Sequence, residues 1–146
     1  MNPYDREKTR EIWQRVLGET VQEPQELSLT ALCRTEQADA AALYRHAARY
    51  GGETGARLRQ AAQAADARAK KCALLAFLET GERVKREHGQ DALLPLPELL
   101  RGQILSLGRL ETAYAAHTER GAEAAALRKS AAESRERLMR LLERIM

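Results

Sequence analysis

Glu36 is the residue with the clearest potential for chemistry, because it interrupts a row of apolar residues at helical spacing. Steps of 3.6 residues along 25–50 give an inner face made of Leu29, Leu32, Cys33, Glu36, Ala40, Leu43, Ala47 and Tyr50. A buried carboxylate is costly unless a cation, a metal ion or a proton neutralises it. Glu36 is therefore predicted to be a partnered, buried acid. The alternative is that the row of apolar residues turns gradually around the helix, which would place Glu36 at a solvated helix edge.

Arg68 is the cation that the sequence offers to Glu36. Residues 25–50 and 54–80 are both predicted helices, and the short turn at Gly51 and Gly52 makes them antiparallel neighbours. Counting outward from that turn brings Glu36 level with Arg68. A planar guanidinium can bind a carboxylate bidentately, so we expect Arg68 to neutralise Glu36. The alternative is that Arg68 extends from the helix margin into solvent.

The two cysteines, Cys33 and Cys72, lie level in the same predicted hairpin. We interpret them as two small buried thiols. A redox disulfide is the alternative, and it would require Cα atoms within about 7 Å of each other. The first residues contain no apolar stretch typical of a signal peptide. Cytoplasmic localisation is therefore expected, since thiols stay reduced there.

The composition predicts an all-α protein. The chain has 146 residues, of which 44% are hydrophobic, 4% aromatic and 31% charged. Alanine is abundant and β-branched residues are scarce, which favours helices over a β-sandwich or barrel. The net charge is only +3 and the signs are interspersed, so we expect no nucleic-acid binding. No apolar stretch approaches the ~20 residues that span a bilayer, so no membrane partner is expected either.

Four long helices and one short helix follow from the apolar spacing and from the positions of proline and glycine. The long helices are predicted at 25–50, at 54–80 with Thr54 as N-cap, at 97–118 with Pro97 in the first turn, and from a tight turn at Gly121 to the C-terminus. A linker at 82–95 joins the two pairs. The prediction is an antiparallel four-helix bundle with one crossover connection.

The short helix is predicted at 5–17, where Ile12, Trp13, Val16 and Leu17 share one face. We expect Ile12, Trp13 and Val16 to pack on the outside of the bundle. Residues 1–20 are thus assigned to this N-terminal amphipathic helix, and residues 21–146 to the bundle.

The other three long helices also have predicted inner faces. For the second helix these are Leu58, Ala61, Ala62, Ala65, Ala69, Cys72 and Ala76, with Arg68 at the margin. For the third they are Leu96, Leu99, Leu100, Gln103, Leu107, Leu110 and Tyr114. For the fourth they are Leu127, Ala131, Ser134, Leu138, Leu141, Leu142 and Ile145. Glu111 is expected at the exposed edge of the third helix, and His117 at the surface near its end.

The chain resembles the ferritin-like superfamily, and small rubrerythrin-like proteins in particular. The matching segments are Asn2-Pro3-Tyr4-Asp5-Arg6, residues 36–45, residues 69–81, Leu100-Arg101 with Tyr114, and the leucine-rich end at 138–145. Members of that family hold an iron or manganese pair inside the bundle. Its ligands are one glutamate from each of two helices and a Glu-x-x-His from each of the other two.

The resemblance assigns these ligand positions to residues that are mostly unable to bind a metal. The first glutamate falls on Glu36 or Gln37. The first Glu-x-x-His falls on Ala65 and Arg68. The other glutamate position falls on Leu107 or Ser106, and the last Glu-x-x-His on Ala131 and Ser134 or on Ala132 and Arg135. Two cysteines are also too few for the four-cysteine iron site of some rubrerythrins. We therefore expect a degenerate metal site and no cofactor.

Three functions stay open at this stage. The preferred one is a metal-free, non-catalytic relative of rubrerythrins with a structural or protein-interaction role. The second is a di-iron or di-manganese oxidoreductase with non-standard ligands such as Glu36, Glu111 and Glu133. The third is a helical adaptor for a protein partner, which predicts an exposed apolar patch. Related bundles often pair side by side, so a homodimer is a candidate state.

Overall fold

Four α-helices make up almost all of the structure. The computed structural model describes residues 28–86 and 93–146. Its α-helices are α1 (Leu29–Ala47), α2 (Gly52–Thr80), α3 (Leu96–Ala116) and α4 (Gly121–Ile145), with a short 3₁₀ helix at Thr118–Arg120 before α4. The described residues contain no strand, which confirms the all-α prediction. The predicted N-terminal helix at 5–17 lies outside them.

Local sequence signals account for several helix ends. The Ser28 hydroxyl accepts a hydrogen bond from the backbone N–H of Ala31 at 3.1 Å, so Ser28 caps α1. Gly81 ends α2 in the left-handed conformation, with φ of 74°, which glycine adopts without steric cost. Pro97 lies in the first turn of α3, as predicted.

Two predicted turns are wrong in detail. The second helix begins at Gly52, with Gly51 as its N-cap, rather than after Thr54. Gly52 has a φ of 63°, so the chain reverses direction at the glycine itself and the helix can start there. The other prediction placed a tight turn at Gly121. Gly121 is instead the first residue of α4, and the turn is the 3₁₀ helix, where the Arg120 N–H donates to the His117 carbonyl at 3.2 Å.

The helices pack mainly as two pairs, α1 with α2 and α3 with α4, and α2 also packs against α4. Contacts at the helix ends show how the pairs are oriented. Arg101 near the start of α3 contacts Met146 after the end of α4. Arg144 near the end of α4 binds Glu53 at the start of α2 at 2.7 Å. The end of α4 therefore lies beside the starts of both α3 and α2.

The connection between α2 and α3 returns along the bundle. Arg86 binds Asp66, well back from the end of α2, at 3.1 Å. At the other end of the connection, the Leu94 N–H donates to Nε2 of the buried His46 near the end of α1, at 3.0 Å. Nδ1 of His46 then donates to the Ala42 carbonyl at 2.7 Å. His46 thus anchors the chain just before α3 begins, a role that the sequence analysis missed.

The core consists of small and aliphatic side chains on the predicted inner faces. Nearly all the predicted residues are buried, including the predicted alanines of α2 and Leu99, Leu100, Leu107 and Leu110 of α3. Four predictions are wrong: Tyr50, Leu96 and Leu142 are only half-buried, and Ile145 is 38% exposed. These residues lie at or near the ends of the inner faces, where fewer neighbours cover them. Among the described residues, no helix is both long and apolar enough to cross a membrane.

Gly55 provides a test of the α1–α2 turn. A Cβ atom on Gly55 would collide with the carbonyl oxygen of Tyr50. We expect Gly55→Ala to lower the free energy of unfolding by about 1–3 kcal/mol, because this backbone contact cannot relax easily. Gly102→Ala is the matched control: a Cβ there meets nothing within 4 Å, so helix propensity should raise stability by about 1 kcal/mol. Urea denaturation measures both, and a neutral Gly55→Ala would contradict the packing described.

Candidate functional site

A buried ion pair lies in the interior of the bundle. Nε of Arg68 donates to Oε1 of Glu36 at 2.8 Å. Glu36 is fully buried and Arg68 is 3% exposed. The predicted pairing is therefore confirmed, and the alternatives of an exposed Glu36 and a solvent-directed Arg68 are wrong. Arg68 faces the interior rather than the helix margin.

The neighbouring residues of α1 and α2 explain why the pair can form. Glu36 shares the inner face of α1 with Cys33 and Ala40, and Arg68 lies between Ala65 and Ala69 on α2. Alanine side chains leave room between the helices, so the long side chain of Arg68 can extend through the core. Its aliphatic stem packs there while its guanidinium reaches polar partners.

The guanidinium divides its hydrogen bonds between two helices. Nη1 of Arg68 donates to the hydroxyls of Ser134, at 2.9 Å, and Ser130, at 3.1 Å, and to the Ser130 carbonyl at 3.3 Å. Both serines belong to α4. Only Nε of Arg68 binds Glu36, through Oε1, so the pair lacks the second hydrogen bond that a planar guanidinium would allow.

Tyr114 brings the third helix into the same network. Its hydroxyl donates to Oε1 of Glu36 at 2.9 Å, and Tyr114 is fully buried. Its oxygen also lies 3.4 Å from Sγ of Cys72. Since the phenol has one proton and directs it to Glu36, the Cys72 thiol is the donor in that contact. Glu36, Arg68, Tyr114 and Ser134 thus join all four helices through one polar cluster, which we call the central network.

The second oxygen of Glu36 is the unsatisfied atom of the central network. Oε2 is buried and has no hydrogen-bond partner among the described residues. Burial raises the pKa of Glu36 above its usual 4.5, while the Arg68 charge and the hydrogen bonds from Arg68 and Tyr114 act in the opposite direction. The carboxyl group is therefore held by two donors on one oxygen and desolvated on the other, which is an unusual state for a glutamate.

Both thiols are buried and unbonded to each other, which confirms the interpretation as two buried thiols. Sγ of Cys33 donates to the Ala69 carbonyl at 3.3 Å. Burial raises the pKa of Cys33, and burial likewise raises the pKa of Cys72 to about 12. Burial is also the main reason that the pKa of Tyr114 is raised. These groups therefore stay protonated and act as hydrogen-bond donors rather than nucleophiles.

The positions that the resemblance assigns to metal ligands lie in three kinds of environment. Ala65, Leu107 and Ala131 are core residues, each at most 3% exposed. Glu36, Arg68 and Ser134 form the central network. The alternative positions lie elsewhere: Gln37 is half-buried, Ser106 donates to Asp39, and Arg135 binds Glu111. Among residues 28–86 and 93–146, no group of three or more His, Cys, Asp or Glu side chains is arranged to hold a metal ion.

Two peripheral predictions need correction. Glu111 was expected to be exposed, but its side chain is only 19% exposed because Arg135 of α4 binds it. His117 was expected at the surface, but its side chain is only 11% exposed where α3 ends. Ser130 is a partner of Arg68 that the sequence analysis missed, since nothing in its spacing distinguished it from its neighbours on α4.

A groove of about 690 Å³ lies between α3 and α4. It is lined by Glu111, Thr112, Ala115, Ala125, Arg128, Lys129 and Ala132. Its only acid is already paired with Arg135, and the two basic residues are exposed. The groove therefore lacks the convergent buried groups that the central network has.

The first test of the central network removes its cation. We expect Arg68→Ala to lower the free energy of unfolding by about 3–5 kcal/mol, because it leaves Glu36 buried without a partner. Arg140→Ala removes an exposed pair with Glu136 and should cost no more than about 1 kcal/mol. The double variant Glu36→Met with Arg68→Met should recover most of the loss. Urea titration of each variant measures these values, and an unchanged Arg68→Ala would contradict the burial of the pair.

The second test measures thiol reactivity. Because Cys33 and Cys72 are buried and protonated, both should react slowly with a thiol reagent in the native protein and rapidly after denaturation in guanidinium. The unfolded protein serves as its own control for total thiol content. Two thiols that react at once in the native state would refute the buried placement.

Comparisons with known proteins were made on the whole chain. No family model matches it, and neither the curated proteins nor the solved structures contain a match. The function must therefore be inferred from the residues and contacts described above.

Proposed function

We propose that this chain is a metal-free, non-catalytic relative of the ferritin-like, rubrerythrin-like proteins, with a structural or protein-interaction role. The observation that carries the proposal is the salt bridge between Glu36 and Arg68, together with the bonds that Tyr114 and Ser134 add to it. Under the resemblance, Glu36, Arg68 and Ser134 stand at ligand positions. An internal ion pair would thus have replaced the metal ions.

The directions of the helices support the ferritin-like part of the proposal. Contacts join the end of α4 to the starts of α3 and α2, and Glu36 of α1 to Arg68 of α2. They fit an antiparallel bundle in which the connection from α2 to α3 is the one crossover. The contact of Arg86 with Asp66 fits a connection that returns along α2.

The charge of Arg68 supports the proposal that the protein holds no metal ion. The guanidinium of Arg68 gives Glu36 a positively charged partner at 2.8 Å inside the core. A divalent cation beside it would be repelled by a like charge in a medium of low dielectric constant. The arginine therefore supplies the neutralisation that a metal ion would otherwise provide.

The competing enzyme hypothesis has less support from the geometry. It needs Glu36, Glu111 and Glu133 to share one site. Glu36 binds Arg68 inside the core, Glu111 binds Arg135, and Glu133 is exposed. Bringing these three carboxylates together would require the helices to rotate and the central network to break.

Metal loading tests the proposed function. Protein produced in medium supplemented with iron and manganese should carry far less than the two equivalents that a di-metal centre needs. Its thermal midpoint should also be unchanged by added Fe²⁺ or Mn²⁺, because a ligand that binds the folded state would raise it. Two bound equivalents with a raised midpoint would overturn the proposal in favour of the oxidoreductase.

A designed reversal tests whether the ligand positions are assigned correctly. Ala65→Glu combined with Arg68→His would restore a Glu-x-x-His on α2 beside Glu36. This variant should be destabilised without metal and partly rescued by Co²⁺, because the ion neutralises the buried acids. Arg68→Ala is the matched control, since it removes the guanidinium without adding a ligand, and Co²⁺ should not rescue it. Equal responses of the two variants would contradict the assigned positions.

A further inference from the structure

The outer face of α2 carries an apolar patch near the end of the helix. Leu74, Phe77 and Leu78 are 58%, 43% and 63% exposed. Their spacing of three and four residues places them on one side of the helix, while the neighbouring Leu75 and Ala76 are buried in the core. Apolar side chains grouped on one side of a helix offer an apolar surface to another segment or molecule. We call these three residues the α2 patch.

We propose that the α2 patch is the docking surface for the N-terminal segment of this same chain, through Ile12, Trp13, Val16 and Leu17. These four residues occur at spacings that place them on one side of a helix. They would supply an apolar stripe about as long as the patch. The inference concerns the outside of the bundle and does not depend on the proposed loss of metal.

The position where the described chain begins favours this occupant. Sγ of Cys33 bonds to the Ala69 carbonyl, so these two residues are level. Ser28 lies five residues before Cys33, and Leu74 lies five residues after Ala69. Because α1 and α2 run in opposite directions, both are about 7.5 Å along the axis from that level, at 1.5 Å per residue. The N-terminal segment therefore joins α1 beside the α2 patch.

The length of the intervening chain is sufficient. Residues 18–27 can span at most about 35 Å when extended. The path from Ser28 to the outer face of α2 has to pass one helix, whose diameter is about 10–12 Å. The segment can therefore reach the α2 patch without stretching its connector fully.

The charges beside the α2 patch are complementary to those of the connector. Residues 18–27 contain Glu19, Glu23 and Glu26 and no lysine or arginine. Lys70 and Lys71 lie exposed on α2 one turn before the patch, and Lys70 also pairs with Asp66 at 3.3 Å. Opposite charges on the two elements favour the approach of the connector along this side of α2.

The size of the α2 patch argues against a second copy of the chain as its occupant. A stable complex buries about 800 Å² on each partner. Three half-exposed side chains fall well short of that area. They match the four apolar residues of one short amphipathic segment, whose covalent linkage raises its effective concentration at the patch.

Trp13 is the single tryptophan of the chain, so its fluorescence reports docking directly in the full-length protein. We expect a blue-shifted emission and weak acrylamide quenching in the native state. Leu74→Ser combined with Leu78→Ser should shift the emission to the red and raise the quenching constant severalfold, toward the value of the urea-unfolded chain. Leu105→Ser is the matched control, since Leu105 is 51% exposed on α3, and it should leave Trp13 unchanged.

A second variant changes the N-terminal residues of the proposed contact instead of the α2 patch. Ile12→Ser combined with Val16→Ser should raise the quenching of Trp13 as the patch variant does, while circular dichroism shows that the four helices are retained. Light scattering gives the oligomeric state of each protein. The proposal is overturned if native Trp13 is as accessible as in urea, or if the patch variant leaves it unchanged. It is also overturned if the patch variant converts a dimer to a monomer without exposing Trp13.

Discussion

The bundle is organised around the ion pair of Glu36 and Arg68, because a charged pair in a small aliphatic core strongly limits how the helices can pack. Taking both groups out of water is costly, and their mutual attraction compensates only when further hydrogen bonds complete the site. Here those bonds come from Tyr114 on α3 and from Ser130 and Ser134 on α4. A rotation of either helix would remove one of them, so the pair ties the register of all four helices to one arrangement.

The arrangement of this ion pair and its partners depends on the alanines of α2. Ala61, Ala62, Ala65 and Ala69 are all buried, and their small side chains leave a passage through which Arg68 reaches from α2 to α4. Larger side chains would pack more apolar area but would close that passage. The same close packing buries Cys33 and Cys72, which explains why the two thiols serve as weak donors within the core.

Much of the fold could be predicted from sequence because its signals are local. The apolar spacing of the helices identified most of the buried residues, and the hairpin at Gly51 and Gly52 was enough to bring Arg68 level with Glu36. The failures have equally physical causes. The start of α2 depends on the positive φ of Gly52, which local propensity did not reveal. The burial of His46 depends on a hydrogen bond from Leu94, a residue distant in sequence.

The sequence by itself determined the helical class, the inner faces of the helices and the position of Glu36 opposite Arg68. All three follow from helical periodicity and one short turn. Only the tertiary structure decided how the two hairpins meet, since the long connection between α2 and α3 leaves their relative register open. The packing of the two hairpins against each other makes Tyr114, Ser130 and Ser134 the partners of the ion pair. It also leaves Oε2 of Glu36 without a donor among the described residues, an outcome that no spacing along a single helix could indicate.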